Sequence, residues 1–244
     1  MRLLIIGATS AIAQEAAKCF AADGAELFLV GRSAQKLQDV ASDLMVRGAK
    51  RVETFLVDLN DFERHAAMLD AAITAFDGID AALLAYGTLG DQRKCELSVA
   101  ETMREFTTNC TSVIALLTLL ANYFEGQQRG CIAVITSVAG DRGRRSNYVY
   151  GAAKGAVSLF LQGLRGRLSS AGVSVLTIKP GLVDTPMTAG IKKGLIFASA
   201  PAVGQGVYRA MQARKEVVYV PRYWQLIMLV VRSIPERAFK RVRF

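Results

Sequence analysis

Short apolar runs alternate with longer segments of helical periodicity along most of the chain. The runs at Arg2–Ile6, Glu26–Val30, Val52–Val57, Ala81–Ala85, Cys131–Thr136, Val173–Ile178 and Val217–Val220 are rich in leucine and β-branched residues and read as strands. Apolar positions three and four apart mark helices at Ala11–Ala22, Ala34–Arg47, Phe62–Ala75, Val99–Tyr123, Tyr150–Ser170 and Ala202–Arg214. Strands that are apolar almost throughout, each followed by a helix, imply a parallel sheet covered on both faces. The expected fold is therefore α/β: one doubly wound domain with a seven-stranded parallel sheet. Asp23-Gly24, Asp77-Gly78 and Ala171-Gly172 each end a helical pattern just before a strand, and Ser98-x-x-Glu101 reads as a capping box.

No linker, repeat or compositional break divides the 244 residues, so residues 1–221 read as one domain and 222–244 as a C-terminal apolar and basic appendage. With 52% hydrophobic residues, the chain is neither disordered nor low-complexity. It has one histidine, His65, which excludes a multi-histidine metal site; in its charged helical stretch it reads as a surface residue. Cys19, Cys95, Cys110 and Cys131 form no C-x-x-C pair and read as reduced thiols of a cytoplasmic protein. MRLLIIGATS breaks too early for a signal-peptide core, and Leu226–Val231 is far too short to cross a bilayer.

Two places carry candidate chemistry. The first strand runs into Gly7-Ala8-Thr9-Ser10-Ala11-Ile12-Ala13 and then a helix, where a Rossmann-type fold binds the phosphates of a dinucleotide. A plain strand-turn-helix with small residues explains that segment equally well. The second place joins Ser137, just past a strand, to Tyr150 and Lys154, four apart on one helix face, with Asn109 upstream and Pro180-Gly181 after the sixth strand. A lysine ammonium beside a tyrosine is expected to pull the phenol's pKa down, toward proton exchange with a carbonyl near neutral pH.

With these residues in place, the sequence resembles the short-chain dehydrogenase/reductase family over essentially its whole length. The resemblance puts the family's catalytic set on Asn109, Ser137, Tyr150 and Lys154. It puts its cofactor contacts on Gly7, Thr9, Ser10, Ile12, Arg32, Asp58, Leu59, Ala85, Gly87, Pro180, Gly181 and Val183. Ala11 and Ala13 stand where the family has glycines, and Ala85-Tyr86-Gly87 where it has Asn-Ala-Gly. The implied reaction is hydride transfer between a nicotinamide and a carbonyl carbon. Tyr150 moves the proton, Ser137 steadies the oxygen, Lys154 holds the ribose and Asn109 orders a relay water. Val30-Gly31-Arg32-Ser33 has no acidic residue for a ribose diol, while Arg32 suits a 2′-phosphate, so NADP(H) is the expected cofactor.

Three stretches are similar to the decaprenylphosphoryl-2-keto-erythro-pentose reductase branch: Ala85–Asp91, Gly140–Tyr150 and the tail from Arg222 to Pro235. That similarity implies a lipid-linked keto sugar as substrate, with Arg142, Arg144 and Arg145 as candidate phosphate ligands. A 3-oxoacyl carrier-protein reductase and a non-catalytic NADP sensor stay open as alternatives. The tail sets Arg222, Arg232, Arg237, Lys240, Arg241 and Arg243 against Glu236, more than half of the net charge of +9. Trp224 and the apolar run after it, followed by these cations and Phe244, suit either peripheral contact with a membrane or packing on the core or a partner subunit. No nucleic-acid motif accompanies the charge. The apolar helices around Val113–Leu120 and Val157–Leu164 suggest a homodimer or homotetramer.

Overall fold

The computed structural model describes residues 1–241, so Arg243 and Phe244 of the tail lie outside the described residues. In chain order the elements are β1 (Arg2–Ile6), α1 (Ala11–Ala22), β2 (Glu26–Gly31), α2 (Ala34–Val46), β3 (Arg51–Leu56), α3 (Arg64–Phe76) and β4 (Ala81–Leu84). They continue with α4 (Gln92–Leu97), α5 (Val99–Phe106), α6 (Ser112–Gln127), β5 (Gly130–Ile135), α7 (Tyr148–Leu168) and β6 (Val173–Pro180). Last come β7 (Val183–Asp184), β8 (Ala198–Ser199), α8 (Ala200–Gln212), β9 (Val217–Val220), α9 (Tyr223–Ser233) and α10 (Glu236–Phe239). Seven strands form one parallel sheet in the order β3-β2-β1-β4-β5-β6-β9, while β7 and β8 make a small separate pair.

Alternation along each strand sorts side chains to two faces. Leu3, Ile5, Leu27 and Leu29 pack with α1, α2 and α8, whereas Leu4, Ile6, Phe28 and Val30 pack with α3, α6 and α7. The register pairs Ile6 with Val30 and Leu84, and Ile135 with Ile178, so the strands end along one edge of the sheet. Strand order reverses between β1 and β4, and the crevice that opens there is where doubly wound sheets bind ligands. Leu116, Leu120, Val157 and Leu161 of α6 and α7 pack on the sheet, while Leu159 of α7 is exposed and Ile114, Leu119 and Phe160 are half-buried.

Three details differ from the sequence pattern, and a fourth takes up one of its open readings. The helix expected over Val99–Tyr123 is broken by a π-helical turn, Thr107–Thr111, which contains Asn109. A short α4 precedes it, capped by Asp91, whose carboxylate accepts from the backbone N–H groups of Arg93 and Lys94. His65 is buried: its Nε2 meets Leu59 O at 2.9 Å and its ring packs near Phe62. Helix α3 opens at Arg64, two residues after the expected Phe62, and sets His65 against the 58–62 loop, in which Asn60 N donates to Asp58 Oδ1. Finally, the tail docks on the domain: Trp224, Met228, Val231 and Phe239 are buried with Val138.

Candidate active site

One cleft of about 530 Å³ runs along the strand ends. Its lining includes the expected Gly7, Thr9, Ser10, Ile12, Arg32, Asp58, Leu59, Ala85 and Gly87 on one side of the switch point. It includes Ser137, Tyr150, Lys154, Pro180, Gly181 and Val183 on the other. Gly7 has φ +87°, and a Cβ there would lie 2.6 Å from Tyr86 Cβ, so the turn from β1 to α1 can pass the end of β4 only without a side chain. Ser10, Ala11 and Ile12 at the start of α1 line the cleft, which puts the N-terminal end of that helix, with its unpaired N–H groups, at the cleft wall. The long cleft, the bare turn and exposed Arg32 at the end of β2 fit a dinucleotide.

At the other end Ser137, Tyr150 and Lys154 meet. Ser137 follows β5 and caps a short 3-10 turn, its Oγ accepting from Ala139 N at 3.1 Å. The next turn lies directly on α7: a Cβ on Gly140 would stand 2.6 Å from Gly155 N. This approach sets the serine against the helix face bearing Tyr150 and Lys154, where the Ser137 hydroxyl is near enough to act on the Tyr150 phenol. Lys154 Nζ lies 5.8 Å from the Tyr150 ring centre and donates to Ile135 O at 3.3 Å.

The electrostatics reverse one expectation. Tyr150 is pushed above the usual tyrosine pKa by burial, with the Ser137 hydrogen bond opposing, rather than pulled down by Lys154. Lys154 is itself pushed down to about 8 by burial, so near neutrality its charge is held weakly. Desolvation outweighs the pairing that the i, i+4 spacing suggested.

Asn109 lies just behind the cleft, fully buried in the π turn. Its Oδ1 accepts from Thr88 N at 3.0 Å, and its Nδ2 donates to Glu105 O at 3.0 Å and Glu105 Oε2 at 3.2 Å. Gly87 separates this amide from Lys154: a Cβ there would lie 2.6 Å from Asn109 Oδ1 and 3.2 Å from Lys154 Nζ. Thr88 and Glu105 escaped the sequence reading because nothing in their spacing points to Asn109.

The three arginines part company. Arg144 lines the cleft, and burial lowers its pKa. Arg142 turns away from the cleft and clamps the end of α9. It donates to Val231 O, Arg232 O and Ile234 O, pairs with Glu236 at 2.9 Å and stacks 4.0 Å from the Phe239 ring centre. Arg145 is exposed and outside the lining. Asp141 fixes the same segment from below, bonding Lys179 Nζ at 2.5 Å and accepting from the Tyr219 hydroxyl at 2.7 Å. Burial, and then the carboxylate, push that tyrosine up to about 12. Gln92, Asn147 and Trp224 also line the cleft and were not foreseen there. The i, i+4, i+7 spacing of Trp224, Met228 and Val231 was the signal that the helix faces inward.

A parallel α/β sheet with a dinucleotide cleft and a Ser-Tyr-Lys cluster at one end defines a nucleotide-dependent oxidoreductase. The family model of short chain dehydrogenases matches residues 2–195, and the chain belongs to that family. It is similar to an uncharacterised oxidoreductase of Mycobacterium tuberculosis strain H37Rv, at 34% identity over 98% of this chain and 96% of the relative. A second uncharacterised oxidoreductase, from the mprA 5′ region of Streptomyces coelicolor, is 33% identical over 98% and 95%. Among solved structures, levodione reductase superposes with a TM-score of 0.82 at 23% identity, covering 89% of this chain and 95% of that one. An alcohol dehydrogenase of the archaeon Thermococcus sibiricus, complexed with 5-hydroxy-NADP, gives 0.79 at 23% identity over 90% and 95%. The protein is thus an oxidoreductase acting between CH–OH and C=O with a nicotinamide cofactor. Among the described residues no helix is long and apolar enough to cross a membrane.

Proposed function

We propose that the protein is an NADPH-dependent ketone reductase whose substrate is a phosphate-bearing or polyprenyl-linked keto sugar, like the reductase branch its sequence resembles. The observation that carries this reading is the meeting of Ser137, Tyr150 and Lys154 at one end of the cleft that Arg144 also lines. The bound nicotinamide supplies the hydride. Tyr150 gives its hydroxyl proton to the substrate oxygen, and Ser137 donates a hydrogen bond to the same oxygen. The Lys154 ammonium holds the cofactor ribose and favours the phenolate left behind, while Asn109, locked by Thr88 and Glu105, orders the water that resupplies the proton. Arg32 meets the 2′-phosphate of NADPH, with no carboxylate at that strand end to repel it.

The lipid part of the reading rests on the outer face of α9. Leu226, Leu229 and Val230 are exposed there, opposite the buried Trp224 and Met228. Exposed Arg222, Arg232, Arg237, Lys240 and Arg241 flank them, which suits peripheral contact with anionic lipid. The test is product analysis with purified protein, NADPH and a panel of lipid-linked keto sugars beside a 3-oxoacyl carrier protein. Stoichiometric reduction of a keto sugar is the expected result. Reduction of the acyl substrate alone assigns the enzyme to the other class, and tight NADPH binding without oxidation by either makes it a sensor.

A further inference from the structure

The wall of the cleft holds buried polar atoms that have no hydrogen-bond partner among the described residues: Gln92 Nε2, Asn147 Oδ1 and Trp224 Nε1. Their chemistry is fixed by what surrounds them. Gln92 Oε1 accepts from Val149 N at 3.2 Å, which leaves its Nε2 as a donor beside the first turn of α7. Asn147 is the N-cap residue of the same helix, yet its side chain makes no capping bond; its backbone carbonyl instead accepts from Gly151 N at 2.9 Å. The Trp224 ring packs over Gly181 and can only donate.

Two donors and an acceptor contributed to one cleft by α4, the start of α7 and the docked tail cannot be satisfied by an alkyl chain. Leaving a buried polar atom unpaired is costly, whereas a hydroxyl both accepts and donates. The 182–191 stretch also lines the cleft, with Leu182, Met187 and Ile191 beside Thr185 and Thr188, the Thr188 hydroxyl being taken up by Val183 O and Thr185 O. We infer that Gln92, Asn147 and Trp224 form a subsite for hydroxyl groups next to the reacting carbonyl, so that the enzyme selects α-hydroxy ketones over plain ketones. This deepens the reductase reading and rests on it.

The test compares 2-hydroxycyclohexanone with cyclohexanone, which differ by one hydroxyl. Affinity is measured by calorimetry on full-length Tyr150→Phe protein saturated with oxidised nicotinamide cofactor, so that no turnover intervenes. The hydroxy ketone is expected to bind about tenfold more tightly, the scale of one buried hydrogen bond. Asn147→Leu, or Gln92→Glu, which keeps the acceptor for Val149 N, should each remove most of that preference. Asn147→Asp, which keeps an acceptor oxygen, should retain it and so separates lost recognition from lost folding. Equal affinity for the two ketones, no measurable binding of either, or a preference untouched by both substitutions overturns the inference. A wild-type enzyme that leaves NADPH unoxidised by either ketone, with the binding preference intact, supports the subsite and overturns the reductase reading instead.

Discussion

The two sides of the cleft are held in place by different means. On the cofactor side, Gly7, Arg32, Leu59 and Ala85 leave the ends of β1 to β4 or the loops directly after them, and strand register sets where each one stands. Moving any of them means breaking the sheet. On the substrate side, the wall comes from the 141–147 segment, the stretch between β7 and β8, and α9. These are secured by a few side chains: Asp141 to Lys179 and Tyr219, Arg142 to the end of α9, and the Tyr223 hydroxyl to Ile196 O at 3.0 Å. Met187, Ile191, Leu195 and Ile196 are exposed there. The proposed cofactor side is thus tied to the sheet, while the proposed substrate side is built from added segments that can change without disturbing it.

The sharpest way to break this contrast is Tyr150→Phe. Removing one hydroxyl from an otherwise unchanged helix face should cut kcat by about 10²–10⁴-fold, the usual worth of a positioned proton donor. NADPH affinity, followed by cofactor fluorescence, should change little. A variant that retains most of the rate would remove Tyr150 from its role.

Next comes the tail. Trp224 is 3% exposed beneath α9, so Trp224→Ala should cost about 3–5 kcal/mol of stability, read as a lower Tm and urea midpoint. Truncation after Pro221 also releases the clamp on Arg142 and should raise the KM for substrate more than the Kd for NADPH. If the truncated enzyme keeps its full stability and KM, α9 is no part of the wall.

Lys154 gives a smaller effect with a defined sign. Its folded pKa, about 8, lies below the usual lysine value of 10.5, so between those values the unfolded chain binds more protons and stability rises with pH. Below about pH 8 the buried charge costs its full penalty. Lys154→Met should therefore stabilise the protein near pH 7 by about 1–3 kcal/mol while losing most activity. In the wild type the reduction rate should fall as pH rises through about 8, and the variant should lack that limb. An unchanged pH profile in the variant would show that the lysine charge is not what titrates.

The smallest effect is expected at Arg32. Its contact is exposed and charge-assisted, so Arg32→Ala should weaken NADPH by about tenfold with NADH unaffected. Equal use of both cofactors by the wild type would dismiss the 2′-phosphate contact.

Local pattern alone determined the seven strands, most of the helices and the order in which Asn109, Ser137, Tyr150 and Lys154 follow one another. Burial on both faces demands apolar runs, and helices demand their own period, so both are written residue by residue. The tertiary structure decided what depends on neighbours distant in sequence. It placed the π turn at Asn109 and buried His65 against Leu59. It turned Arg142 toward the tail and set Trp224 over Gly181, 43 positions earlier in the chain. It also reversed the direction of the Tyr150 pKa, because the spacing of a tyrosine and a lysine reports their proximity and says nothing of how much water the fold removes from both.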